Sequence, residues 1–125
     1  MTGKLLGLLL MEKSNLNKIA TLSLIDAWIK ASVEHKTLTI AYYSGKTKKQ
    51  TTVREVEPDY VGFSRDGKNF GLWGICRLRG SVRCFLPENV RGWEYVGDSF
   101  NPNPRGRWQE LMPIYKKRKL DQQKF

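Results

Sequence analysis

The stretch Phe70–Leu86, FGLWGICRLRGSVRCFL, sets three arginines, Arg77, Arg79 and Arg83, in and beside a short turn between two apolar runs. A guanidinium is a planar fork of donors that matches phosphate or carboxylate oxygens, and an aromatic face beside it can stack a base. On a two-residue period Arg77 shares a face with Trp73 and Ile75, and Arg83 shares one with Phe85. A face that mixes arginine with aromatic rings is a poor core and a good seat for a phosphate–base ligand. The competing reading keeps these arginines at a sheet rim, paired with Glu55, Glu57 or Glu88. Arg79 falls in the turn and is expected to face solvent. Tyr42, Ser44 and Arg54 join the candidate binding set. Tyr42 can equally be a core tyrosine with a satisfied hydroxyl, and Arg54 can equally pair with a neighbouring glutamate.

Other chemistries lack their parts. His35 is the single histidine, and neither Cys76 nor Cys84 has a second ligand at metal spacing, so no metal site and no cofactor is expected. There is no nucleophile–histidine–acid set and no phosphate-cradling glycine loop followed by Lys-Ser/Thr. The chain therefore reads as a binding protein and not as an enzyme. The two cysteines fall on facing strands and read as small buried residues in a reducing cytosol, with a cross-strand disulfide as the alternative.

The elements that must position these residues follow from periodicity. Residues 21–36, TLSLIDAWIKASVEHK, read as a helix, with Ser23 and Asp26 as a capping box and Leu24, Ala27, Trp28 and Ala31 on one face. Residues 14–22 either extend it or form a separate turn. From Thr37 the period changes to two. TLTIAYYS, TTVREVEP, DYVGF, FGLWGICRL and VRCFL then read as five strands, with Pro58 stopping the second and Asp66-Gly67 turning the third. PENVRGWEYV reads as a turn or helical piece with a further edge strand. The fold class is mainly β with one N-terminal helix (α+β), a small five-stranded antiparallel Sm/SH3-like barrel.

The chain divides into an apolar N-terminal segment (1–15), a helix-plus-barrel domain (16–100) and a basic C-terminal extension (101–125). The apolar run Leu5–Met11 imitates a signal peptide, but Glu12 and Lys13 end it without a cleavage site. It is too short to cross a bilayer, so it is expected to pack on the domain or a partner. No membrane association is expected, and the location is taken as cytoplasmic. Net charge is +10, and residues 105–125 hold seven basic against two acidic side chains. Such a balance favours polyanionic partners. Seven like charges so close are expected to repel and to leave that extension loosely packed, with Trp108, Leu111 and Met112 making its contacts.

In register, these residues resemble the WYL domain, a ligand-sensing module with an Sm-like barrel found mostly in bacterial and phage regulators. The match runs over about residues 22–97: Trp28 and Ile29 in the helix, Ile40, Tyr42 and Ser44 in the first strand, Arg54 and Pro58, Phe70-Gly71-Leu72 at the naming tripeptide, then Arg83 and Phe85. Gly71 stands where the family has tyrosine, and Asn89 where it has a second arginine. The stretch before residue 22 is too short for the winged-helix domain that usually precedes the module, so the resemblance implies a stripped member. It implies a regulatory or accessory module that senses single-stranded nucleic acid or a nucleotide, with the closing arginine, Arg83, at the ligand. The alternative is a small basic docking protein, without a ligand of its own, on a larger nucleic-acid-processing complex such as a polymerase, nuclease or ribosome.

Overall fold

A computed structural model describes residues 13–45 and 49–123. Helix α1 (Lys13–Glu34) leads into a sheet of β1 (Lys36–Ser44), β2 (Gln50–Phe63), β3 (Phe70–Cys76), β4 (Ser81–Phe85) and β5 (Val90–Ser99). A 3-10 turn (Trp108–Leu111) and helix α2 (Met112–Gln123) follow. Every ladder is antiparallel, and the strand order is β4-β3-β2-β1-β5. No ladder joins β4 to β5 among the described residues, so the sheet is curled and open where a closed barrel was expected. There are two helices where one was expected. The apolar run Leu5–Met11 lies outside the described residues.

α1 spans Lys13–Glu34, so Ser23 is interior to it and caps nothing. The expected buried side does hold: Leu24, Trp28 and Ala31 recur at helical spacing and pack on Leu38, Ile40, Val56, Leu72, Cys76 and Phe85. Trp28 is wholly buried, its indole N–H donates to the Trp73 carbonyl at 3.0 Å, and its ring meets the Phe85 edge at 6.1 Å. The indole thus gains apolar contact without an orphaned donor. α1 stops at His35, which takes a left-handed φ of 56°; its ring bonds the Ser32 carbonyl, and its own carbonyl accepts the Phe100 N–H.

Pro58 does not stop a strand. β2 runs on through it, because a register shift between Pro58 and Tyr60 releases the ladder where proline has no N–H to give. TTVREVEP and DYVGF are therefore one strand, and the fifth strand is VRGWEYVGDS, the segment read from sequence as an edge.

The bulge also positions Asp59, whose carboxylate accepts the Arg107 N–H at 3.1 and 3.2 Å and so holds the chain entering the 3-10 turn at Trp108–Leu111. A Cβ on Gly106 would lie 2.2 Å from Asp59 Oδ1 and 3.0 Å from the Asn103 carbonyl oxygen, so a larger residue there would displace the carboxylate. Arg107 lies over the Tyr60 ring at 4.0 Å and forks onto Glu110. Leu111 is buried, Trp108 meets His35 at 4.5 Å, Tyr115 donates to Glu34 at 2.6 Å, and Arg118 pairs with Asp26. The basic extension is docked, contrary to the expectation from like-charge repulsion, because acids of the body meet its cations and apolar side chains anchor it.

Burial pushes the Asp59 carboxyl above the ordinary range, against the opposing Arg107 and Trp108 amides. A raised folded-state value means that this carboxyl's contribution is complete below the unfolded value, about 3.9, and is lost as pH rises through the folded one. In urea unfolding, the wild type is expected to lose stability relative to Asp59→Asn as pH rises from about 4. A difference growing in the other direction would show that the amides outweigh burial.

Candidate functional site

Ladder register decides which side chains share a face. Ile40 opposes Arg54, Val56 opposes Cys76, Gly74 opposes Arg83, and Leu72 opposes Phe85. These residues and Tyr42 lie on the concave face that receives α1. Arg54 and Arg83 thus flank the core on one side of the sheet. Arg54 is only 8% exposed; its Nε donates to Thr52 Oγ1 at 3.0 Å and its Nη1 to Cys76 Sγ at 3.8 Å. Arg83 is partly buried, and Gly74 opposite it has no side chain. Neither guanidinium pairs with a carboxylate among the described residues. A buried cation without a counter-ion is costly, and an anion entering this face would relieve the cost. The Cys76 thiol records the same field: burial raises it, but the Arg79 amide, the Arg54 guanidinium and the Leu78 amide together bring it below its usual value.

Tyr42 packs against the core with a satisfied oxygen, one of the two readings made for it. Its oxygen accepts the Leu86 N–H at 3.0 Å and its ring meets Phe85 edge-on at 5.1 Å, so it clasps the end of β4. Ser44 ends β1 opposite Gln50, two residues beyond Tyr42 on the same strand face. Phe85 is buried between Trp28 and Tyr42 and serves as floor, not as an open stacking surface.

Arg77 does not join this set. Ile75 opposes Val82 on the convex face, and Arg77 continues that face, pairing with Glu55 and Glu57 at 3.0 Å each. The expectation that the hairpin brings Arg77 beside Arg83 is corrected: the register turns them to opposite faces. Arg79 is exposed in the turn, as expected. The cysteines obey the same register. Cys76 opposes Ser81 and Cys84 opposes Trp73, so the two thiols lie on opposite faces and are free.

One residue was missed from sequence. Trp93 opposes Ile40 on the side away from Arg54, placing Arg54, Ile40 and Trp93 in one row, and it is 37% exposed. The alternation of Trp93 and Tyr95 was the available signal. Two cavities are defined elsewhere: one of about 10 Å³ beside Pro58 and Trp108, and one of about 770 Å³ between α1 and α2, walled by Asp26, Lys30, Glu34, Tyr115 and Arg118. Neither is lined by Arg54 or Arg83. No cluster of three metal-ligating side chains occurs among the described residues, and no helix there is long and apolar enough to cross a membrane.

Gly71 and Cys84 form a matched pair. A Cβ on Gly71 would lie 2.0 Å from Cys84 Sγ, so the sulfur occupies the space a side chain at 71 would need. Gly71→Ala is expected to cost about 1–3 kcal/mol in urea unfolding. Adding Cys84→Ala should return most of that loss, whereas a double variant no better than the single would place the strain elsewhere.

No family model matches the sequence, and no curated protein does. Among solved structures the fold is similar to that of Proteasome accessory factor B/C (PafBC) of Arthrobacter aurescens, with a TM-score of 0.58 and 23% identity. The similarity covers 71% of this chain and 14% of that one, so this chain spans a small part of that protein's length.

Proposed function

We propose that this chain is a WYL-like regulatory or accessory module whose concave face takes a phosphate-bearing ligand, single-stranded nucleic acid or a nucleotide. One observation carries the reading: Arg54 and Arg83 share a face with Tyr42, and neither has a carboxylate partner among the described residues. Arg54 on β2 and Arg83 on β4 stand at separate margins of that face, so each would meet a phosphate of its own. The net charge of +10 would steer such an anion inward. The fold shared with PafBC, a WYL-domain-containing regulator, supports a WYL-like relationship, in line with the dispersed sequence pattern. Arg83 and Arg54 would hold phosphate, and Tyr42 would offer its hydroxyl. Trp93 stands at the edge of the same face for a base. Arg77, already held by Glu55 and Glu57, is left out of this set. Binding, without catalysis, is the whole of the proposed activity.

The test titrates a labelled short single-stranded oligonucleotide at two salt concentrations into wild type, Arg83→Ala and Arg79→Ala. Arg83→Ala is expected to lose about 1.5–3 kcal/mol of binding, the value of a charge-assisted hydrogen bond, and Arg79→Ala much less. Equal small losses would mean diffuse attraction without a site. Absence of wild-type binding even at low salt, where electrostatic binding is strongest, would favour a docking protein with no ligand of its own.

A further inference from the structure

Phe63 and Phe70 oppose each other at the open end of the β2–β3 hairpin, and both are exposed, at 71% and 40%. The two-residue period places them in line with Leu72 on the concave face, one row past the core. The turn between them, residues 64–69, carries Arg65 and Lys68. Its acid, Asp66, is engaged within the turn, accepting the Lys68 N–H at 3.0 Å and the Ser64 hydroxyl. Arg65 lies over the Trp73 ring at 5.9 Å, and the Trp73 indole N–H donates to the Phe63 carbonyl at 3.1 Å, so the hairpin end is braced and not a loose tip.

An opposed pair of exposed rings on the concave side, with Lys68 in the turn and Arg65 over Trp73 on the convex side, puts π-faces and positive charge at one end of the hairpin. That combination suits single strands, whose bases stack on rings and whose phosphates seek the cations. We infer that Phe63 and Phe70 form a stacking ledge for a base of single-stranded nucleic acid, whose phosphates run past Lys68 and, around the hairpin end, Arg65. The ligand class rests on the function proposed above, but the contact is separate from it. Gly74, which faces Arg83, lies four residues along β3 from Phe70, roughly 13 Å away, and Trp28 sits on Phe85 in the row between.

The experiment titrates the same labelled oligonucleotide, at two salt concentrations, into wild type, Phe63→Ala/Phe70→Ala, Phe63→Leu/Phe70→Leu, Arg65→Gln/Lys68→Gln and Arg83→Ala, with circular dichroism as the folding check. Both phenylalanine doubles should weaken binding by about tenfold or more at each salt concentration and leave the salt slope unchanged, because stacking releases no counterions. The Arg65/Lys68 double should flatten the slope by about 1.4 units, ~0.7 for each phosphate contact on a single strand. Leucine variants that bind like wild type would overturn base stacking, since leucine keeps the apolar area without the ring. Phenylalanine variants that bind normally while Arg83→Ala fails would overturn the ledge and leave the concave-face reading standing. The reverse pattern would keep the ledge and remove the arginine site. Loss of concentration-dependent self-association, with binding intact, would assign the rings to a second copy of this chain and overturn the inference.

Discussion

β4 ends at Phe85 and β5 begins at Val90, yet these two strands form opposite edges of the five-stranded sheet. A link of four residues, most of it a single 3-10 turn over Pro87–Asn89, cannot cross the width of a flat sheet of that size. The sheet must curl until its edges nearly meet. From that constraint follow the concave face, the space for α1, and the clasp in which Tyr42 of β1 reaches Phe85 and Leu86 beyond the far edge strand. Trp28 then fills the hollow, and its indole N–H ends on a backbone carbonyl of β3. The centre of the hollow is thereby apolar and closed. Charged residues on the same face can lie only along its margins, and Arg54 and Arg83 do.

The separation of the arginines onto two faces has electrostatic consequences. On the convex side Arg77 is held by two glutamates at about one-third exposure, an arrangement of modest worth that leaves it little call for another anion. On the concave side Arg54 is withdrawn from water with only a hydroxyl and a sulfur to meet its charge. Against its burial, the Cys76 thiol is held below its usual value by the Arg79 and Leu78 amides and the Arg54 guanidinium. The two faces of one hairpin therefore differ in kind: one is neutralised from within the chain, and the other is left cationic.

How far the sequence could show this depends on what local pattern encodes. Alternation gave the correct face partners along each strand, Arg77 with Ile75 and Arg83 with Phe85, and the helical spacing gave the buried side of α1. It could not say how the faces of two strands coincide. That depends on the four residues between Cys76 and Ser81: with these two paired, residues on the two strands share a face only when their numbers sum to an odd value. Arg77 with Arg83, and Cys76 with Cys84, both sum to an even value, so one register separates both pairs. Pro58 misled for a related reason. A proline ends a regular ladder, but a bulge is a tertiary accommodation that the local sequence does not announce. The docking of the extension was hidden by distance, since Tyr115 meets Glu34 across 81 residues and Arg107 meets Asp59 across 48.

That docking also changes how the protein's charge is displayed. Three acids of the helix-and-sheet body, Asp26, Glu34 and Asp59, are turned toward Arg118, Tyr115 and Arg107. The attachment does not depend on these surface contacts alone, since Leu111 is buried beneath them and supplies the non-directional part, about 2 kcal/mol for a side chain of that size. Arg118 and Asp26 offset one charge of each sign, while Lys116 and Lys117 on α2 remain exposed. The docking leaves the net charge of +10 unchanged, and α2 displays part of it at the surface. Polyanions would then be drawn in from several directions, and selection among them is left to the few places where guanidinium groups or aromatic rings are held in fixed geometry.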